Sequence, residues 1–500
     1  MHFLSRSHAR PILGAAQVRQ LEPALQTLSP TPLMQSAGWA CARLALAVAP
    51  HARRIWVAAG PGNNGGDGLE AALHLHQWGK EVLVSLMSST GLSPTDAQAA
   101  LQRAQQAGVR IESGMPSEWL QQMDAQDLCI DALLGIGASR PLSADLQACV
   151  QAMQDGLAPI LAIDVPTGLN PQSGQWLGFE TGHTLAVRAD HTLSLIAVQP
   201  GLLMGHGRDA SGQIWLENLG YQANQHRMPP LAWLNAPYAA TRKPHASHKG
   251  SHGDVAVIGG EGMALHGMDM RGAAVLAATA ALHAGAGRVI LSLLSGQASD
   301  SAPPDVMQRE FKRLELEKLH VVCGCGGGTA VEAVLPEVLQ RSACLVLDAD
   351  GLNAVANDSA LQNALRQRGS RQSTVITPHP LEAARLLGCS TAQVQNERLK
   401  AAQELAERFQ CSVVLKGSGT VIAAPGLTPR INITGNGRLA IGGTGDVLAG
   451  LVATRMAQGQ NTFEAAFESA CAAVAQHGQV ADAWPPGEAL TASRLAQRLV

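Results

Sequence analysis

The chain lacks any imbalance of charge: 36 Lys and Arg stand against 39 Asp and Glu, a formal net charge of −3 over 500 residues. There is no basic stripe and no RNA-binding aromatic motif, and aromatics supply only 3% of the residues. A nucleic-acid partner needs a cationic footprint, so none is expected. No window approaches ~18 uninterrupted apolar residues, which removes a membrane-spanning helix from the expectation. The first residues mix His2, Arg6, His8 and Arg10 with few apolar side chains, without the apolar core of a secretory signal. Nine cysteines are scattered singly, which is not a disulfide framework, and the Cys323/Cys325 pair has no second Cys or His pair at zinc spacing. A cytoplasmic protein is the expectation. There is no internal repeat and no low-complexity tract.

What is present favours a compact α/β enzyme: 46% apolar residues, 15% charged residues and 52 glycines, with Ala-rich helical stretches. Short apolar runs alternate with helix-length segments. In the first half the runs are 54–59, 82–86, 128–131 and 160–164, and one intervening helix is read at Asp67 to Trp78. Near-continuous apolar runs are the mark of buried parallel strands in βαβ units. Ligand crevices in such sheets lie beyond the carboxyl ends of the strands. Gly60 to Gly68, Asp131 to Gly137 and Asp164 to Gly168 are therefore expected to converge. Residues from about Gln222 to Ser247, with Pro229-Pro230, Pro237 and Lys243-Pro244, break the rhythm and are read as a joint. A second series of runs follows, at 253–260, 319–323, 344–348, 373–377 and 412–416.

Three loops of the first half carry chemistry. Gly60-Pro61-Gly62-Asn63-Asn64-Gly65-Gly66-Asp67-Gly68 follows a strand and opens a helix, where backbone amides can line a phosphate and Asn64 offers a side-chain carbonyl. A plain turn has no call for two asparagines and an aspartate among its glycines. Asp131 to Gly137 and Asp164 to Asn170 are the other two, with helix capping as the competing reading of their aspartates. The three loops together resemble the signatures of the YjeF N-terminal family, epimerases of hydrated NADH and NADPH. The resemblance implies a Rossmann-like three-layer domain over residues 1–222. It implies that Asn63, Asn64, Gly65, Gly66 and Asp67, with Gly135, Ile136, Gly137, Ala138, Ser139, Arg140 and Pro141, cradle the dinucleotide. It also implies a potassium ion on Asn64, Asp131 and Thr167, where the family usually has serine at the last position. Asp164 is then the catalytic candidate, moving a proton or hydroxyl at carbon 6 of the hydrated ring.

In the second half, Gly442-Gly443-Thr444-Gly445-Asp446 precedes an apolar helical pattern, placing consecutive N–H donors and a carboxylate at a helix mouth suited to an anion. Alone, it also reads as a capped glycine turn. It is accompanied by 248–253, by 272–278, by Thr377-Pro378-His379-Pro380-Leu381-Glu382 and by Lys416-Gly417-Ser418-Gly419-Thr420. The set resembles the ADP/ATP-dependent NAD(P)H-hydrate dehydratase family and implies a ribokinase-like α/β domain over residues 248–500, with 223–247 as linker. By that resemblance Asp446 is the catalytic base. Ala273, Gly326, His379 and Asp446 contact the hydrate, and Lys416, Gly417, Ser418, Gly419, Thr420 and Gly445 hold the nucleotide. ADP is the expected co-substrate, with Mg²⁺ beside it. The chain departs from the family pattern G-P-G-L-G at Gly324-Cys325-Gly326-Gly327-Gly328, has Leu381 where glycine is usual, and has Arg438 before the glycine run.

Two other readings stand beside this one. The second half could be a vitamin or sugar kinase, since such kinases share the fold, and the first half could be a dinucleotide-binding or scaffolding module. The trio Asn64, Asp131 and Asp164 argues against a scaffold, which has no chemical use for it. Small-molecule substrates and a homo-oligomer complete the expectation.

Overall fold

The computed structural model describes residues 1–500 except 5–9, 88–93, 179–181, 183–184, 227, 241–243, 264–266 and 500. Arg6, His8 and Lys243 lie outside the described residues. The chain divides into two compact units, built mainly from Pro11–Ala232 and from Trp233–Val500.

The first unit is a twisted sheet of β1 (His2–Phe3), β2 (Arg54–Ala59), β3 (Glu81–Leu86), β4 (Arg110–Ser113), β5 (Leu128–Ala132), β6 (Ile160–Ile163), β7 (His191–Leu195) and β8 (Gln213–Glu217). Their order is β1-β8-β7-β6-β5-β2-β3-β4. All pairs are parallel except β1 with β8. Strand β2 shows why its sequence is apolar throughout: Ile55, Val57 and Ala59 enter the core on one face while Trp56 and Ala58 enter the core on the other. Both faces are covered, as the period of two requires. The one polar atom this buries, Trp56 Nε1, donates to Ser85 Oγ at 3.0 Å.

The helix expected from Asp67 begins earlier, spanning Asn63–Gln77. The Asn-Asn-Gly-Gly stretch is its first turn, a start hidden in the sequence because glycine and asparagine are poor helix formers. Backbone packs on backbone here. A Cβ at Gly60 would lie 1.8 Å from the Leu133 carbonyl oxygen, and one at Gly65 would lie 2.0 Å from the Gly60 carbonyl oxygen.

The second unit contains β9 (Ala232–Leu234), β10 (Asp254–Gly259), β11 (Arg288–Leu293), β12 (Met307–Gln308), β13 (His320–Cys323), β14 (Cys344–Leu347), β15 (Thr374–Ile376), β16 (Ser412–Leu415), β17 (Thr420–Ala423) and β18 (Arg430–Asn432). The order is β12-β11-β10-β13-β14-β15-β16-β17-β18-β9. The sheet is parallel except where β17 runs antiparallel to both neighbours. Strand β9 lies in the segment read as a joint; three residues are too short to show a periodicity, and their partner β18 is remote in sequence. The helices Arg271–His283 and Thr444–Gln458 cross at small residues, a Cβ at Gly450 falling 2.1 Å from the Ala277 carbonyl oxygen. No helix among the described residues is long and apolar enough to cross a membrane.

Candidate active sites

In the first unit the carboxyl ends of β2, β5 and β6 open onto a cavity of about 690 Å³, within the usual range for small-molecule sites. The three glycine-bearing loops do converge: Asn63, Asn64, Asp67, Gly135, Ile136, Gly137, Ala138 and Asp164 all line it. Gly65 and Gly66 are packed inside, against Gly60 and Met34. Ser139, Arg140 and Pro141 are exposed and do not line the cavity.

Asp164 follows β6 with φ of 68°, a left-handed conformation that aspartate tolerates better than most side chains. Its Oδ2 accepts the Ile136 N–H at 2.8 Å. The fit is close, since a Cβ at Gly135 would lie 2.7 Å from Asp164 Oδ2 and 3.4 Å from Asn64 Cβ. Burial pushes the Asp164 carboxyl up to about 6, against the opposing pull of the Ile136 N–H.

Asp131, at the end of β5, is fully buried and caps no helix. Its Oδ1 accepts from Thr167 Oγ1 at 2.7 Å and from the Leu133 N–H at 3.2 Å, and its Oδ2 accepts the Thr167 N–H at 2.8 Å. Thr167 Oγ1 in turn accepts the Leu134 N–H at 3.1 Å. Burial pushes Asp131 up to about 6 as well, and among the described residues it makes no ion pair. Asn64 is the outlier: both polar atoms of its amide are buried without a partner among the described residues. Two orphaned atoms in a polar wall point to a ligand, because native buried amides are otherwise satisfied.

Sequence reasoning missed Arg19 and Glu22, which reach the same cavity from the helix Ala15–Leu28. A Cβ on Gly137 would lie 3.1 Å from the Arg19 guanidinium. Burial raises Glu22, and it raises Asp67 well above the carboxylate range, with Asp164 and Glu22 adding repulsion.

In the second unit the helix Thr444–Gln458 starts at Gly443, whose φ of 91° explains the glycine. Asp446 sits in its first turn. Lys416 Nζ lies 2.6 Å from Asp348 Oδ1, and a Cβ on Gly445 would lie 3.4 Å from that Nζ and 3.9 Å from Asp348 Oδ2. Lysine, aspartate and helix mouth therefore meet. Asp446 is pushed up to about 6 by burial and by Asp348, while Cys325 and Lys416 hold it down. The Lys416–Thr420 loop is held from beneath by buried Arg398, which donates to the carbonyls of Leu415 and Lys416 at 3.2 and 3.1 Å. Burial lowers the Arg398 guanidinium to about 10.

His379 is the N-cap of the helix Pro380–Leu387, its Nδ1 accepting the Leu381 N–H at 3.1 Å. Its Nε2 lies 3.2 Å from Glu382 Oε1, and Glu382, pushed up to about 7 by burial, stands 4.0 Å from Lys416 Nζ. Ala273 and Gly326 are neighbours, 2.9 Å separating the Ala273 methyl from a Cβ built on Gly326. Arg438 donates to the carbonyls of Trp484 and Pro485 at 3.1 and 3.4 Å, which ties two segments together. The residues missed here are Asp348, Glu382, Arg398, Cys325 and His477, whose ring contacts the Thr444 carbonyl at 3.0 Å. For Asp348 the available signal was its place at the end of the apolar run 344–348, followed by Ala349 and Asp350.

Two α/β units, each with a perturbed carboxylate beside glycine-opened backbone, define an enzyme with two sites. Residues 30–201 match the family model of the YjeF-related protein N-terminus, and residues 255–500 match that of the NAD(P)H-hydrate dehydratase. The bifunctional NAD(P)H-hydrate repair enzyme of Escherichia coli (strain K12) is 34% identical, covering 90% of this chain and 84% of its own. That of Leishmania braziliensis is also 34% identical, over 95% and 89%. A solved ADP/ATP-dependent NAD(P)H-hydrate dehydratase from Bacillus subtilis, co-crystallized with ATP and Mg²⁺, is 27% identical over 53% of this chain and 92% of its own, with a TM-score of 0.42. The chain belongs to the family of bifunctional NAD(P)H-hydrate repair enzymes.

Proposed function

We propose that the first unit epimerises R and S hydrates of NADH and NADPH, and that the second dehydrates the S form to NAD(P)H while converting ADP to AMP and phosphate. Hydroxide leaves a saturated carbon poorly. Phosphorylating the carbon-6 hydroxyl turns loss of water into loss of phosphate, so a kinase-like site is what the dehydration requires. The observation that carries the reading is the meeting of Asp446, Lys416 and the Gly443–Gly445 backbone at one helix mouth. Asp446 takes the hydroxyl proton, and the backbone amides with Lys416 stabilise charge on the transferring phosphoryl group. The Lys416–Thr420 loop and Gly445 hold the nucleotide; Ala273, Gly326 and His379 face the hydrate.

In the first unit the cavity-lining Asn63, Asn64, Asp67 and Gly135 to Ala138 are assigned to the dinucleotide, and Asp164 to proton or hydroxyl movement at carbon 6. Potassium fits Asn64, Asp131 and Thr167: among the described residues the Asn64 amide has no partner and the buried Asp131 carboxylate no ion pair, and hard oxygen ligands suit an alkali ion. When bound, it supplies a fixed positive charge beside Asp131. Mg²⁺ finds no such fit among the side chains near Asp446, where a thiol and the Lys416 ammonium share the space; we assign it to the ADP phosphates. A homo-oligomer in the cytoplasm is the proposed setting.

The test is incubation of the purified protein with mixed R and S hydrate plus ADP. Complete recovery of NADH absorbance requires both activities. A plateau at the S fraction removes the epimerase assignment, and no recovery together with phosphorylation of a vitamin or sugar transfers the second unit to the kinases.

A further inference from the structure

We propose that Cys325 is a positioning residue for dehydration: its buried thiol donates to the Asp446 carboxylate and keeps that base aimed at the hydrate hydroxyl. This rests on reading Asp446 as the base.

Cys325 follows β13 between two glycines with positive φ, Gly324 at 113° and Gly326 at 58°. The backbone there has no latitude. A Cβ on Gly324 would lie 2.1 Å from the Asp348 carbonyl oxygen, and one on Gly259 would lie 2.3 Å from the Cys325 carbonyl oxygen. The side chain is fully buried. Its Sγ and one oxygen each of Asp348 and Asp446 all lie within 4.8 Å of one another. Asp348 is already engaged by Lys416 at 2.6 Å, which leaves the Asp446 oxygen within 4.8 Å as the carboxylate open to the thiol. A sulfur donor is weak, yet a donor aimed at a carboxylate in a desolvated site fixes its direction and favours its ionised form. The proline of the G-P-G-L-G pattern carries no donor, so this contact belongs to the cysteine that replaces it.

The surroundings keep the thiol in its donor form. Burial and the neighbouring carboxylates hold Cys325 well above the ordinary thiol range. Of the other groups facing Asp446, Asp348 and Asp350 disfavour its charge and Lys416 favours it. His477, on the helix Phe463–Asp482 and in contact with the Thr444 carbonyl at the start of the Asp446 helix, is pushed down to about 4 by burial and is neutral at working pH.

The experiment compares pH profiles of kcat/KM for dehydration of pure S hydrate at saturating ADP, using wild type, Cys325→Ala, Cys325→Ser and Asp446→Asn, with thermal melts to establish folding. Losing the donor leaves Asp446 protonated to higher pH. In Cys325→Ala the acid limb should rise by about 0.5–1 pH unit, a roughly 3- to 10-fold loss below the limb, with the alkaline plateau kept. Cys325→Ser, which retains a donor, should move the limb back. An unmoved limb in Cys325→Ala, with Asp446→Asn inactive, overturns the role of the thiol and leaves Asp446 as base. An active Asp446→Asn overturns the base assignment itself. If Cys325→Ala does not fold, the infrared S–H stretch decides: wild type minus Asp446→Ala should show one thiol band released to higher frequency, and a featureless difference overturns the proposal.

Discussion

Thr167 Oγ1 donates to Asp131 Oδ1 at 2.7 Å while accepting the Leu134 N–H at 3.1 Å. One hydroxyl thus ties the buried carboxylate to the loop that carries Gly135. Thr167→Val removes both bonds and leaves buried groups unsatisfied, at about 1–3 kcal/mol. Epimerisation should fall and urea stability should drop by that order, while Thr167→Ser restores both. The same site should make epimerisation faster in potassium than in sodium. Equal rates in the two salts, or in a bulky organic cation, would remove the ion from the account.

Asp164→Asn should abolish epimerisation and leave dehydration of pure S hydrate near normal, because the two sites lie in separate units. With the wild-type carboxyl pushed up to about 6, a base role makes the epimerisation rate rise as pH passes through that value. A flat profile between pH 5 and 7 argues for a purely structural aspartate.

Burial raises Asp131, Asp164 and Asp446 from 3.8 to about 6. Between those values the folded chain binds more protons at these positions than the unfolded chain. Their contribution to stability is therefore lost as pH rises from about 4 to about 6, each group costing about 1.4 kcal/mol for every pH unit crossed in that window. Urea denaturation at several pH values should show a steeper loss over this window for wild type than for Asp164→Asn.

Asp446→Asn keeps the size of the side chain and the helix start but removes the proton acceptor. Turnover should fall by ~10²–10⁴ while calorimetry still detects nucleotide. Wild-type turnover would reduce Asp446 to a cap.

Lys416→Met strands buried Asp348. Breaking a buried pair from one side costs about 3–5 kcal/mol, so the variant should melt early and bind nucleotide poorly. Adding Asp348→Asn should recover much of the stability and none of the nucleotide affinity. A double variant as unstable as the single one shows that packing of the lysine stem, rather than charge, is at stake.

The sheets were legible because both faces of β2 and of its parallel neighbours are covered, which leaves continuous apolar runs. The glycine loops were legible because close backbone approach tolerates no Cβ, as Gly60 against Leu133 illustrates. What escaped has the opposite character. Arg398 looks like any charge on an amphipathic helix, and only the tertiary fold turns it beneath the Lys416 loop. Arg19 and Glu22 likewise carry no local signature. Cys325 reads as half of an ineffective metal pair until β14 and the helix Thr444–Gln458 bring Asp348 and Asp446 beside it.

Asp164 occupies a left-handed backbone position and a buried one. Asparagine is as comfortable at that φ and carries no charge to bury, so the folded chain is better served by the residue that removes the proposed base. A duplicated copy of this chain released from its repair duty would shed this aspartate early. On the proposed role of Asp164, an aspartate at this position within a set of divergent copies should mark those still working, and an asparagine or glycine there those kept for some other use.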